Sequence, residues 1–345
     1  MADENALIAG IIGLITANVG TAAHVEVANL RQIIGGTSSE IWSFDGRWSE
    51  DGTRHERPLI LRRASATDLV SGDRAAEFKL LQALDRTPVQ APRVYWFDAD
   101  GRWLERPSMI MEKATGVAER DVLSARNRQS LDLAARVAIA QQIAGALAEI
   151  HRVDAGTLGI DPPAAGANPA LQQLRFYDAE IGNAEVEPMP ELRLASLWLR
   201  EHLPNCPARA TLVHGDYRPA NILVADGRLS AVLDWEFAHI GDPAEDLGWY
   251  LTSYYAHEHL IEGHWSANDF FALYEDTLSE AVDRKAVRFW AVFCLYKLAS
   301  MTMAARQAFV HGDSSRMGAS ADFIVRPLLE NTLRDMADRA EALSS

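Results

Sequence analysis

Cysteine is nearly absent: Cys206 and Cys294 are the only two in 345 residues. They lie far apart, with no His or Cys neighbour at metal-ligand spacing. That excludes a disulfide framework and a cysteine-based zinc site and fits a reducing compartment. Positive charge is also short, with 33 Lys and Arg against 48 Asp and Glu and a formal net charge of -15. A protein whose main partner is nucleic acid needs clustered cations to displace counterions, so none is expected here. The start of the chain has no long apolar run either. The stretch 7–15 is shorter than a membrane span, and Asp3 and Glu4 precede it where a secretory leader carries basic residues. It reads as a packing helix in a cytoplasmic protein with no membrane partner, monomeric or homodimeric.

What is present is an ordinary globular balance, 48% hydrophobic and 23% charged, in a chain long enough for two lobes. Segments 24–34 and 41–48 alternate as strands around the turn Gly35-Gly36-Thr37-Ser38-Ser39, and further strands are expected at 58–62, 93–97 and 108–111. A helix over 73–84 puts Phe78, Leu81 and Leu84 on one face with Glu77 beside it. Helical spacing then takes over at 129–151, followed by a Gly-, Pro- and Ala-rich loop at 156–169. More helices are expected at 170–182, 191–203, 243–257, 268–281, 285–310 and 315–343. Two strand pieces, 211–224 and 229–233, join at Asp226-Gly227. The pattern predicts an α+β, bilobal chain. A small β-rich lobe over 1–112 has a five-stranded antiparallel sheet plus a helix, and a larger, mostly helical lobe covers 113–345.

The chemistry concentrates in His214-Gly215-Asp216-Tyr217-Arg218-Pro219-Ala220-Asn221 and, after the hairpin, Asp234-Trp235-Glu236. Phosphoryl transfer needs a carboxylate to orient and deprotonate the attacking hydroxyl and oxygen ligands for Mg²⁺ on the phosphates. An Asp, an Asn five residues later and a further Asp supply both. Gly35, Gly36, Thr37 and Ser38 sit between two strands, where backbone N–H groups can approach phosphate because Gly has no Cβ. His151 and His214 read as satisfied buried residues, His214 bracing its loop. Asp242 and Asp246 are expected to cap a helix and anchor the metal loop. Trp235, Trp249, Tyr250, Tyr254 and Tyr255 are candidates for a cation cage, although aromatics at helical spacing more often fill a core.

These residues resemble the aminoglycoside phosphotransferase and choline kinase superfamily, relatives of protein kinases, over nearly the whole chain. The string from Asp234 to Tyr250, with Leu61-Arg62-Arg63-Ala64-Ser65 and Met109-Ile110-Met111-Glu112-Lys113, is similar to the kinase-like branch associated with acyl-CoA dehydrogenases. The resemblance implies a protein-kinase-like fold and transfer of the γ-phosphoryl group of ATP or GTP to a hydroxyl of a small molecule. By the same resemblance Asp216 is the catalytic base, and Asn221 and Asp234 hold Mg²⁺. Arg62, where kinases carry Lys, meets phosphate and pairs with Glu77, and the backbone from Met111 to Lys113 is the hinge that meets the purine. That Arg keeps a second reading in view: a catalytically impaired pseudokinase acting as a nucleotide-binding regulator.

Overall fold

Leu7, Ile11, Leu14 and Ile15 recur at helical spacing, and they form the buried face of α1 (Glu4–Val19). In this computed structural model the described residues are 4–20, 24–33, 39–50, 52–64, 73–164, 166–184, 188–310 and 316–344. The chain divides into two units, Met1–Thr115 with Ser230–Glu236, and Gly116–Leu229 with Phe237–Ser345.

The first unit is built on one antiparallel sheet. Its strands are β1 (Glu26–Ile33), β2 (Ser39–Glu50), β3 (Thr53–Ala64), β4 (Val94–Asp98) and β5 (Ser108–Glu112), in the order β1-β2-β3-β5-β4. Besides α1, the unit holds helix α2 (Arg74–Leu84), which starts at Asp73, whose carboxylate accepts from the N–H groups of Ala75 and Ala76. Side chains alternate across β3. Leu59 and Leu61 join Leu7, Ile11, Leu14, Trp42, Phe44, Trp96 and Ile110 in the core beneath α1, while Arg62 points to the other face, toward Glu77 of α2. Gly10 is required where α1 crosses the 103–104 segment, because a Cβ there would stand 2.3 Å from the Trp103 carbonyl oxygen. Gly35, Gly36, Thr37 and Ser38, the expected phosphate turn, lie outside the described residues.

The second unit is mostly helical. It holds β6 (Val117–Ala118), α3 (Leu133–Arg152), α4 (Pro169–Ala184), α5 (Pro190–Glu201), β7 (Thr211–Val213) and β8 (Ile222–Ala225). The strand β9 (Arg228–Val232) then carries the chain toward Asp234. Returning, the chain forms β10 (His239–Gly241), α6 (Ala244–Leu251), α7 (Ala256–His259), α8 (Ala267–Leu278), α9 (Arg284–Val310) and α10 (Arg316–Ser344). Helix α3 has the length and apolarity of a membrane span. It packs against α8 and β7 and buries Ile139, Ile143, Leu147 and Ile150 in this unit.

Two expectations need correction. The strand piece 211–224 is two strands, β7 and β8, parted by a loop and a 3₁₀ turn at Pro219–Asn221. Gly215 turns the chain with φ 81°, and the residue before Pro219 is held extended (Arg218 φ -159°, ψ 158°). The helix expected over 243–257 breaks in two, since Thr252 leaves the helical region at ψ 144°.

Candidate active site

The loop between β7 and β8 presents Asp216 and Asn221. The Asn221 side-chain amide donates through Nδ2 to the Asp216 carbonyl (2.9 Å) and to Asp216 Oδ2 (2.7 Å). Because the NH₂ group is used, the remaining polar atom of Asn221 is an amide oxygen, a hard ligand suited to Mg²⁺. The Asp216 N–H donates to His214 Nδ1 at 3.2 Å, so His214 braces the turn. Tyr217, fully buried, donates to the Ile143 carbonyl of α3 at 2.7 Å.

Asp246 of α6 fixes this loop from beneath. Its Oδ2 accepts from the His214 N–H (2.7 Å) and meets His151 Nε2 (3.0 Å), and its Oδ1 accepts from the Gly215 N–H (2.8 Å). Burial alone would raise its pKa. The hydrogen bond and charge of His151, with the loop N–H groups, outweigh it and hold the carboxyl below its ordinary value. His151 Nδ1 in turn meets the Tyr274 hydroxyl at 2.5 Å. Asp246 thus anchors the loop that carries Asp216 and Asn221. Asp242 accepts from the Ala244 N–H (2.9 Å) and from Trp290 Nε1 (3.0 Å).

A carbonyl of the same loop is also held. Lys297 of α9, buried, donates to the Gly215 carbonyl at 2.8 Å and lies 3.8 Å from Glu245. Gly215 admits no side chain: a Cβ would stand 2.7 Å from the Phe237 carbonyl oxygen. The loop therefore has its donors tied by Asp246 and an acceptor tied by Lys297, which leaves Asp216 little freedom to drift.

In the first unit, Arg62 of β3 gathers carboxylates. Its Nη1 donates to Glu77 Oε1 at 2.5 Å, and its Nη2 lies 3.2 Å from Asp234 Oδ1 and 3.5 Å from Glu236 Oε2. One guanidinium serves three acids, so this set carries surplus negative charge. Burial pushes the Glu77 carboxyl up, against the pull of Arg62, and one of its oxygens is buried with no hydrogen-bond partner. Asp234 is at φ 66°, a left-handed conformation that costs a non-glycine residue energy and clusters at functional sites. Among the described residues no three His, Cys, Asp or Glu side chains form a metal cage. Oxygen donors with surplus charge fit Mg²⁺, which is commonly bound by one or two protein ligands together with phosphate oxygens and water. Met111 is buried in β5. The N–H groups of Glu112 and Lys113 donate to the Arg93 and Pro58 carbonyls (2.7 and 3.1 Å), so neither is a donor to a purine in this conformation.

A family model described as the phosphotransferase enzyme family matches residues 38–281. The chain belongs to that family. Acyl-CoA dehydrogenase family member 11 of Mus musculus is 27% identical over 78% of this chain and 35% of its own length. The chain spans about a third or less of such curated relatives. A solved structure from Ralstonia eutropha JMP134, provisionally assigned as an aminoglycoside phosphotransferase, superposes with TM-score 0.70 at 21% identity, covering 96% of this chain and 97% of the other. A thermostable mutant of aminoglycoside phosphotransferase APH(4)-Ia, solved with AMP-PNP and hygromycin B, gives TM-score 0.62 at 17% identity over 95% and 99%. These likenesses establish the kinase-like fold.

Several side chains of this phosphotransferase escape a reading of its sequence. Lys297 is a lone cation in an apolar helical stretch, Phe293-Cys294-Leu295-Tyr296-Lys297-Leu298, and that isolation is the one signal that marks it. Glu258, which binds Arg218 through both oxygens at 2.9 Å, has no sequence signal. The candidate cation cage is occupied by the protein itself. Arg218 lies 4.0 Å over Tyr255, Lys297 4.9 Å from Trp249, and Tyr250 stacks on Phe270. A cavity of about 1150 Å³ among α5, α9 and α10 is lined by Trp198, Phe289 and Leu328, and neither Asp216 nor Asn221 reaches it.

Proposed function

We propose that this phosphotransferase is a small-molecule kinase that moves the γ-phosphoryl group of ATP or GTP to a hydroxyl group, with Asp216 as base and Asn221 and Asp234 as Mg²⁺ ligands. The observation that carries this reading is the paired hydrogen bond from Asn221 to Asp216, which orients the carboxylate and turns the amide oxygen to another use. Asp216 takes the proton of the acceptor hydroxyl as its oxygen bonds to phosphorus and the nucleoside diphosphate leaves. Mg²⁺, when bound, neutralises charge on the phosphates. Asp234 and Asn221 offer it oxygen, and Arg62 offers the phosphates a guanidinium that already bridges Glu77 and Asp234. Nucleotide and acceptor binding in the APH(4)-Ia complex, with AMP-PNP and hygromycin B, supports the two-substrate scheme.

The test is phosphate transfer from ATP and GTP to a panel of aminoglycosides, choline, sugars and hydroxyacyl-CoA compounds. Mg²⁺-dependent transfer to one class, lost in Asp216→Ala, is the expected result. A pseudokinase would bind Mg²⁺ and ATP and phosphorylate none of them.

A further inference from the structure

On the reading of Asp216 as the base, the side chains beside it in the helical unit meet the acceptor first. The Asp216 charge is felt at Arg218 and at Lys297, both cations. Arg218 gives Nη2 to both oxygens of Glu258 and leaves Nε buried with no hydrogen-bond partner. Arg120, just beyond β6, brings its Nε to 3.2 Å from the same carboxylate. Glu258 has no exposed side-chain surface, whereas 60% of the Arg120 side chain is exposed. One buried carboxylate thus faces two guanidiniums, of which only that of Arg120 is largely open to solvent. Glu245, whose charge is felt at Lys297, is buried between His239 at 3.2 Å and Lys297 at 3.8 Å. Neither carboxylate is open to an ammonium group, which is what a polycationic acceptor would require.

We infer that the acceptor is a hydroxylated anion, whose carboxylate or phosphate group is held by the exposed Nη atoms of Arg120 while its hydroxyl meets Asp216. The guanidinium is suited to this. Its Nε lies 3.2 Å from Glu258, which leaves its two Nη groups as a fork for two anionic oxygens. Glu258 also links that fork to Arg218, two residues from the base, so anion binding and hydroxyl placement share one rigid corner.

Initial rates decide it with Mg²⁺-ATP and three acceptor sets: hydroxycarboxylates, sugar and glycerol phosphates, and cationic alcohols including choline and aminoglycosides. The expected result is higher kcat/KM for one of the anionic sets, which also tells carboxylate from phosphate. Arg120→Gln should raise the KM of that acceptor about tenfold or more and leave the KM of ATP in place. Arg120→Glu should weaken it further. Preference for the cationic set, an unchanged acceptor KM in Arg120→Gln, or a rise confined to the KM of ATP would overturn the inference. If no acceptor reacts, calorimetry with glycerol 3-phosphate and 3-hydroxybutyrate decides: binding lost in Arg120→Gln supports it, and absent or unaltered binding refutes it. Failure of Mg²⁺-dependent ATP binding in the same samples would instead strike the kinase reading itself.

Discussion

Around Asp246 the chain fills both oxygens of a buried carboxylate with its own donors, His151 and the N–H groups of His214 and Gly215. Around Arg62 it does the reverse, gathering Glu77, Asp234 and Glu236 on a single guanidinium and leaving a Glu77 oxygen without a bond. The first cluster is closed. Its electrostatics are spent on holding a loop whose Gly215 turns at φ 81°. The second is open, with Asp234 left 35% exposed and sharing one guanidinium with two other acids, an arrangement that the proposed Mg²⁺ would complete. Buried ionic residues of the same types therefore do two jobs. Charge balance separates them better than burial does.

The comparison can be broken by mutation. The largest effect is expected on the loop that the closed cluster positions. Asp216→Ala should lower turnover by about 10²–10⁴-fold, the usual contribution of a general base, with nucleotide affinity retained in a binding titration. Asp246→Ala strands two loop N–H groups and His151 and should cost about 3–5 kcal/mol in urea unfolding. Adding Mg²⁺ should not restore that loss. Arg62→Met removes the cation that contacts all three acids of the open cluster and should cost about 2–3 kcal/mol, less because Asp234 is partly solvated. Here Mg²⁺ should recover part of the stability. Equal behaviour of these two variants toward Mg²⁺ would erase the distinction.

The smallest effect is a slope. Burial, helped by the charges of Arg218 and His257, pushes the His259 imidazole well below its ordinary value, so the folded protein keeps it neutral. The unfolded chain binds that proton near pH 6.5, so stability is intact above this pH and falls on acidification until the folded value is reached. The slope is at most about 1.4 kcal/mol per pH unit. His259→Phe should flatten the acid limb of a stability profile between pH 7 and 5.

The candidate catalytic string was legible because its parts are close in sequence. Asp216 and Asn221 lie five residues apart, and the Asn221–Asp216 hydrogen bond is a local one. The sheet was legible where burial forces alternation. β3 was read as 58–62 because Thr53 to Arg57 are polar and, apart from His55, exposed, and only pairing with β2, down to Glu50 opposite Thr53, extends it. What stayed hidden depends on tertiary approach. Lys297 reaches Gly215 across 82 residues, Glu258 reaches Arg218 across 40, and Arg62 reaches Asp234 across 172. The aromatic candidates failed for a related reason, since composition does not reveal that Arg218 and Lys297 already occupy the faces of Tyr255 and Trp249.

The most direct test of the kinase assignment is calorimetric titration of ATP, with and without Mg²⁺, into the unaltered protein, Asp216→Ala and Asp234→Ala. The account predicts Mg²⁺-dependent binding of similar affinity in the first two and clear weakening in Asp234→Ala. Binding indifferent to Mg²⁺, or undiminished by loss of Asp234, would contradict it.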